Sequence, residues 1–479
     1  MTDPLPIYVI NTLGHELQEL TPIDPPNVRL YTCGPTVYSY THIGNFRAYI
    51  FADTLRRTLE YNGYRVRHVR NITDVGHLTD ETLNTGLDRI EAAARAENMS
   101  PWDVAQHYTE VFERDARRLN LLEPHVQPRA TDYIAQMIAL IGRLIESGHA
   151  YASNGNVYYG VETFPTYGAL SGNSVEGLIA GARVEVGEGK RSAADFALWK
   201  AADPDKLMRW ESPWSDGVPG WHVECSAMSM DLLDEEIDIH TGGVDNIFPH
   251  HEDERAQSEA ATGRPFVRYW MHSELLRIGA GEKMSKSLGN IFTVTDLVER
   301  GIHPLAYRYF TFQAHYRTSL NFTWEAVEAA QTGLFRLWEQ AAELSQSNEI
   351  EPLGDEAEIY RSRFQQTVNR DLDLSRALAI VHEVMASSLP GGQKLGLLDD
   401  SDRILALDFL KMAAALSRVG GEERELLDRR RAARDRKDWA ESDRLRAVLA
   451  DRGVEVRDTP QGQRWVRRDL VSAPREEGA

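Results

Sequence analysis

Cysteine is nearly absent from this chain: 479 residues hold two, Cys33 and Cys225, far apart. That excludes a disulfide-built scaffold and suits a reducing cytoplasm, the compartment expected here. Long apolar runs are also missing. No stretch approaches the ~18 consecutive apolar residues of a membrane span, so no membrane partner is expected. The opening MTDPLPIYVINTLGHELQEL has Asp3 and no basic region, so no signal peptide is expected either. Basic charge is in deficit, 53 Lys and Arg against 73 Asp and Glu, for a net charge of −20. A chain so acidic does not bind nucleic acid over its whole surface; any such site is a local basic patch. Internal repeats are lacking. Hydrophobic residues at 42% and charged ones at 26% exclude a mostly disordered chain. At ~150 residues per domain, the length predicts about three domains.

One basic patch is present. Residues 424–468 hold 14 Lys or Arg and 9 Asp or Glu, a local +5 against −25 for the remainder. A salt-bridged, solvated helical tail and an RNA-binding surface both fit that composition.

Along the chain, Val28, Leu30 and Thr32 alternate on a short strand, and CGPT is turn chemistry. Gly44-Asn45-Phe46 opens an amphipathic helix with Phe51, Leu55 and Leu59 at i, i+4 and i+8, ending near Asn62-Gly63. A second strand follows over Tyr64 to Arg70. This βαβ unit predicts an α/β fold with a parallel sheet and ligands at the strands' carboxyl ends. From about Ala130 to Ser215 the pattern breaks into helix, short strands and Gly-rich turns, as an insertion would. Strand character returns at Glu236 to His240, with Thr241-Gly242-Gly243 as a turn. Residues 321 to about 415 are helical in period, interrupted at Leu389 to Gly392. The last 60 residues hold an Arg-rich helical pair, a turn at Arg452-Gly453 and a short β-like stretch over Val454 to Val456.

Two segments carry chemistry. In Thr41-His42-Ile43-Gly44-Asn45, a helix N-terminus offers unpaired N–H groups and a partial positive charge, which favour phosphate. Gly44 admits a ligand close to the backbone, while His42 and Asn45 add donors for a charged transition state. A histidine that only caps the helix is the plainer reading. The second segment, Gly279 to Asn290, places Lys283 and Lys286 three apart among small hydroxyl residues and glycines. Such a cationic loop can close on a triphosphate and neutralise charge as pyrophosphate leaves. For a Lys-rich loop taken alone, a flexible surface loop whose lysines keep it soluble is the plainer reading.

Taken together, HIGN, GGVD (Gly242 to Asp245) and KMSKS, in this order, resemble the signatures of class I aminoacyl-tRNA synthetases. YTCGPTVYSYTHIGN, RNITD, DFALWK, SPWSDGVPGWHVECSAM, DIHTGGVDNIFPHHEDERAQS, YWMHS and GEKMSKSLGN resemble cysteinyl-tRNA synthetases, as does the tail RRAARDRKDWAESDRLRAVLADRGVEVRDTPQGQRW. The resemblance spans nearly the whole chain. It implies a Rossmann-like catalytic domain (1–130 and 216–270) split by a connective insertion (131–215). A KMSKS-containing region (271–320), a helical bundle (321–415) and a small α+β anticodon-binding domain (420–479) then follow. Two departures stand out. Asn45 ends the HIGH-type box where the family has histidine, and VGHLTDETLNTG after Asp74 replaces the family's usual Asp-Asp-Lys continuation, so His77 and Asp80 receive no role.

The resemblance further implies one zinc ion held by Cys33, Cys225, His250 and Glu254, with His251 as the rival to His250. On spacing alone the two cysteines read as buried core thiols. It implies ATP binding by His42, Gly44, Asn45, Gly242, Asp245 and Lys286, with Mg²⁺, and a cysteine pocket lined by Thr73 and Trp221. Trp221 as a core aromatic is an equal reading, and His222 and His240 lie nearby. Catalysis falls to His42, Asn45, Lys283 and Lys286. Arg434, Trp439 and Asp443 are the candidates to contact tRNA, or else to pack within a helical hairpin. The implied partners are ATP, L-cysteine and tRNA(Cys), with the chain a monomer. A cysteine must be told from serine, and a thiolate–zinc bond supplies that difference without the editing domain for which the chain shows no obvious room. Two rivals stay open: the cysteine ligase of mycothiol synthesis, a shorter relative without the tail, and a non-catalytic RNA- or zinc-binding paralogue.

Overall fold

The computed structural model describes residues 5–75, 78–80, 85–174, 189–203, 205–279, 282–283, 291–459 and 462–468. They fall into two compact units, one of residues 1–117 and 121–275, the other of 118–120 and 276–479.

In the first unit, β1 (Asn27–Thr32), α1 (Ile43–Tyr61) and β2 (Arg65–Arg70) form the expected βαβ unit. Val28 and Leu30 alternate into the core from β1, and Phe51, Leu55 and Leu59 bury one face of α1. His42 caps α1, its Nδ1 accepting from the Asn45 N–H at 3.2 Å. The helix ends as its sequence predicts, with Asn62 as C-cap and Gly63 at φ +91°. Much later come α2 (Trp221–Leu232), β3 (Ile237–Gly243), α3 (Glu252–Thr262) and β4 (Val267–Ser273). The four strands form one parallel sheet in the order β4-β3-β1-β2. The chain leaves β1 toward β2 and leaves β3 toward β4, so the order reverses between β1 and β3. Open α/β sheets bind ligands at the carboxyl ends of the strands beside such a reversal.

Thr241-Gly242-Gly243 is not a turn. It continues β3, with Gly242 opposite His272 and Gly243 opposite Ser273. These glycines serve close approach instead: a Cβ on Gly242 would lie 2.8 Å from His251 Cε1.

Between the two halves of the sheet, Ile134–Glu146 forms a helix. A separate antiparallel sheet follows, ordered Gly217–Pro219, Phe196–Ala201, Asn156–Tyr159 and Ala150–Ser153. In the second unit, Leu276–Ile278 pairs with Leu320–Phe322 and Glu282–Lys283. Five helices follow: Trp324–Ser345, Asp355–Val368, Leu374–Ala386, Gly391–Leu405 and Phe409–Ser417. The C-terminal region holds the helical pair Gly421–Asp435 and Trp439–Asp451 and a hairpin of Val454–Thr459 with Gly462–Arg467. The β-like stretch at Val454 thus has a partner strand that was not expected. The architecture is the α/β fold anticipated, with a helical segment and a small α+β end. Among the described residues, no helix is long and apolar enough to cross a membrane.

Candidate active site

Cys33 is the first residue beyond β1, its N–H reaching Thr241 O of β3 at 3.3 Å. The loop that carries it is pinned to the end of β2: Gly34 N–H donates to Asn71 Oδ1 at 2.8 Å, and a Cβ on Gly34 would sit 1.5 Å from Asn71 O. Only glycine fits there. Cys225 lies in the second turn of α2, and Glu254 in the first turn of α3, where the helix dipole suits a carboxylate. His250, four residues before Glu254, projects onto the same side.

All four side chains are buried, and their ligand atoms lie within 4.8 Å of one another. The two sulfurs are 3.9 Å apart. A tetrahedral ion with metal–sulfur bonds of ~2.3 Å places two sulfurs ~3.8 Å apart, so the thiols already stand at coordination spacing. His250 Nε2 and Glu254 Oε1, at 2.9 Å, are hydrogen-bonded, closer than the ~3.3 Å separation of two metal ligands. A second set also converges: Cys33, His240, His251 and Glu254. His251 Nε2 is 3.2 Å from Cys33 Sγ, so the rival to His250 reaches one of the two thiols.

Burial alone would neutralise Glu254, yet His240 and His250 outweigh it and hold its carboxyl down at about 2. His250 is likewise penalised by burial, but Glu254 and Cys225 lift it to about 10. Burial pushes the Cys33 thiol well up. It would do the same to Cys225, but the hydrogen bond from Cys33 and the neighbouring His250 bring that thiol to about 6. A thiolate, an imidazolium and a carboxylate thus meet in one buried space, the charge set a divalent cation replaces by displacing protons.

Outer groups orient the inner ones. His240 Nε2 donates to Glu254 Oε2 at 2.9 Å, leaving Oε1 toward the thiols. His250 stacks on Trp221 with ring centroids 4.2 Å apart, and its Nδ1 is 2.9 Å from His222 Nδ1. His251 Nδ1 meets His272 Nε2 at 2.7 Å, and His272 Nδ1 meets Thr12 Oγ1 at 2.7 Å. Burial, with the His240 imidazole adding, holds His272 neutral, its value near 3. His272, Thr12 and Asp253 were not anticipated. Only the YWMHS segment hinted at His272, because its contacts come from other elements. Thr73 is buried and accepts from Asn71 Nδ2 at 3.0 Å. Its backbone pairs with the Cys33 loop through Pro35 and Val37.

His42, Gly44 and Asn45 occupy the N-terminus of α1, also at the sheet's carboxyl end, with Asn45 exposed and no acidic residue in the first turn. Gly242 and Asp245 close β3 and the turn after it. Lys283 pairs by its backbone with Arg277. Its side chain, and Lys286, lie outside the described residues.

In the C-terminal region, Arg434 covers the Trp439 ring at 5.4 Å and contacts Asp458 at 2.9 Å. Trp439 is 55% exposed. Asp443, one turn further along the same helix, is exposed as well. Much of the basic segment is internally paired: Arg457 and Arg468 both contact Glu339 on helix Trp324–Ser345, and Arg430 grips Asp458 through two nitrogens.

Comparison with known proteins agrees with this geometry. A family model described as the tRNA synthetases class I (C) catalytic domain matches residues 19–332. Another, the cysteinyl-tRNA ligase anticodon binding domain, matches residues 418–465. Cysteine–tRNA ligase 1 of Burkholderia lata is 44% identical over 462 residues, 96% of this chain and 97% of its own. The cysteine–tRNA ligase of Thermus thermophilus is 41% identical over 481 residues, 96% of this chain and 99% of its own. A solved Mycobacterium tuberculosis methionyl-tRNA synthetase with methionyl-adenylate superposes with TM-score 0.55 at 16% identity, over 81% of this chain and 90% of that one. An Agrobacterium radiobacter leucyl enzyme in a ternary complex with tRNA gives 0.58 at 12%, over 82% and 85%. At such identities these two show a shared fold alone. Matched from the parallel sheet to the C-terminal hairpin, the chain belongs to the cysteine–tRNA ligase family of class I aminoacyl-tRNA synthetases.

Proposed function

We propose that the protein activates L-cysteine with ATP and Mg²⁺ to cysteinyl-adenylate, then transfers the cysteinyl group to the 3′ adenosine of tRNA(Cys). The observation that carries this reading is the convergence of Cys33, Cys225, His250 and Glu254 at the carboxyl end of the sheet, beside the switch between β1 and β3. Their two sulfurs, imidazole and carboxylate fit one zinc ion in chemistry, burial and sulfur spacing. Bound there, zinc would stabilise the substrate's thiolate, a gain the serine hydroxyl cannot match. We prefer this set to the one with His240 and His251, because it uses both thiols and keeps His240 as the donor that orients Glu254.

The remaining work is positioning and charge. Thr73 and Trp221 line the amino-acid pocket, with Trp221 holding the His250 ring by stacking. The substrate carboxylate attacks the α-phosphate of ATP in line, and pyrophosphate departs. The N-terminus of α1, with His42, Gly44 and Asn45, meets charge growing on the α-phosphate. Asn45 donates through its amide where the family has an imidazole. Gly242 and Asp245 hold the nucleotide, and Lys283 and Lys286 neutralise the departing phosphates. A ribose hydroxyl of the tRNA end then attacks the activated carbonyl and AMP leaves. Neither step needs a protein nucleophile. Arg434, Trp439 and Asp443 contact the tRNA, and the protein acts as a cytoplasmic monomer.

The match over residues 418–465 favours an RNA acceptor over an amino sugar. The test is cysteine-dependent ATP–pyrophosphate exchange together with charging of a tRNA(Cys) transcript. Lys286→Ala should lower exchange by on the order of 10²–10³-fold while RNA affinity persists. Exchange without RNA charging would overturn the acceptor assignment, and no exchange at all would overturn the enzyme.

A further inference from the structure

The insertion reaches into the outer layer of the metal site through one side chain. Tyr167, buried in the turn that follows strand Asn156–Tyr159, donates its hydroxyl proton to Asp253 Oδ1. The other oxygen, Asp253 Oδ2, lies 3.2 Å from His222 Nε2. His222 Nδ1 is 2.9 Å from His250 Nδ1, and His250 Nε2 faces Glu254 and the thiols. Four buried side chains therefore run in a line from the insertion to the candidate metal ligand.

When His250 ligates through Nε2, the histidine protons along that line follow. The Nε2 lone pair must be free, so the His250 proton sits on Nδ1 and is donated to a bare His222 Nδ1. The His222 proton is then on Nε2, facing Asp253 Oδ2. Asp253 Oδ2 then accepts on the His222 side, and Oδ1 accepts from Tyr167. Its contact with His222 is not aligned as a hydrogen bond, whereas the Tyr167 bond is, so Tyr167 sets the carboxylate's rotation.

The turn carrying Tyr167 is fixed independently. Leu170 and Ser171 N–H groups donate to Glu252 Oε2 at 3.0 and 2.8 Å, and Arg255 donates to Thr166 O and Oγ1 at 3.0 and 2.9 Å. Removing the Tyr167 hydroxyl therefore leaves the turn tethered.

We infer that Tyr167 is a positioning residue of the metal site: by holding the Asp253 carboxyl group beside His222 Nε2 it orients His222 and, through it, the His250 ring, so the insertion tunes metal affinity without touching the metal. This rests on the zinc assignment proposed above. Outer groups of this kind typically shift metal affinity by ~10–100-fold.

The experiment compares the full-length protein with Tyr167→Phe and Thr166→Val by zinc competition against a chromogenic chelator and by the visible spectrum of the cobalt-loaded forms. Tyr167→Phe should weaken zinc binding ~10–100-fold and shift the cobalt bands. Thr166→Val, which loses a tether of the same turn but no member of the line, should do neither. Unchanged affinity and spectrum in Tyr167→Phe, or equal losses in both variants, would overturn the inference while leaving the zinc assignment standing. Failure of the unmutated protein to bind zinc would overturn both.

Discussion

At the carboxyl end of the parallel sheet, the candidate ligands come from the loop after β1, from α2, from the turn before α3 and from its first turn, and every one is buried. In the C-terminal region, the candidate RNA contacts come from two consecutive helices and are exposed at Trp439 and Asp443. The first region shields charge from water and must satisfy it internally, which is why five histidines gather around Glu254, Asp253 and two thiols. The second keeps most of its charge in solvent, where each pair contributes little, and among the described residues buries one charged side chain, Arg430. Buried chemistry demands long-range assembly and an outer shell. Surface recognition needs only a rigid local frame.

Variants should separate the two regions, and the sheet end is where losses should be greatest. Cys225→Ala removes one of two thiols, and cysteine-dependent pyrophosphate exchange should fall by on the order of 10⁴-fold, with zinc content lost in parallel. Arg430→Ala strips Asp458 of two hydrogen bonds and Gln463 of one. It should destabilise the C-terminal region by about 3 kcal/mol in urea unfolding, while exchange stays intact. Metal uptake should also depend on pH. At pH 7 the metal-free site holds a proton on His250, lifted to about 10, and one on Cys33, whose thiol is pushed up, while Cys225, near 6, is mostly thiolate. Binding must expel about two protons, so zinc affinity should rise roughly 100-fold per pH unit from pH 7 toward 9, measured by chelator competition. Trp439→Ala should weaken tRNA binding by ~1–3 kcal/mol, read as a raised KM in charging with exchange unchanged.

The contrast also marks what could be read from the chain. The βαβ unit was legible because Val28 and Leu30, then Phe51, Leu55 and Leu59, repeat at strand and helix periods. The Arg-rich helical pair was legible for the same local reason, whereas the strand Gly462–Arg467, partly buried on most of its length with its apolar residues Trp465 and Val466 adjacent, carried no alternation to betray it. Gly242 misled: a glycine pair after a strand suggests a turn, but here it makes room for the His251 ring. Spacing said only that Cys33 and Cys225 were buried thiols. Family motifs, not periodicity, joined them to His250 and Glu254. His272, Thr12, Asp253 and Tyr167 stayed hidden because each acts through a partner on another element.

The most direct measurement is ATP–pyrophosphate exchange with cysteine and with serine, on zinc-loaded and metal-stripped protein. The account predicts that the loaded protein prefers cysteine by on the order of 10⁴-fold, that the preference collapses on stripping, and that zinc restores it. Undiminished selectivity in the stripped protein, or serine activated as fast as cysteine in the loaded one, would contradict it.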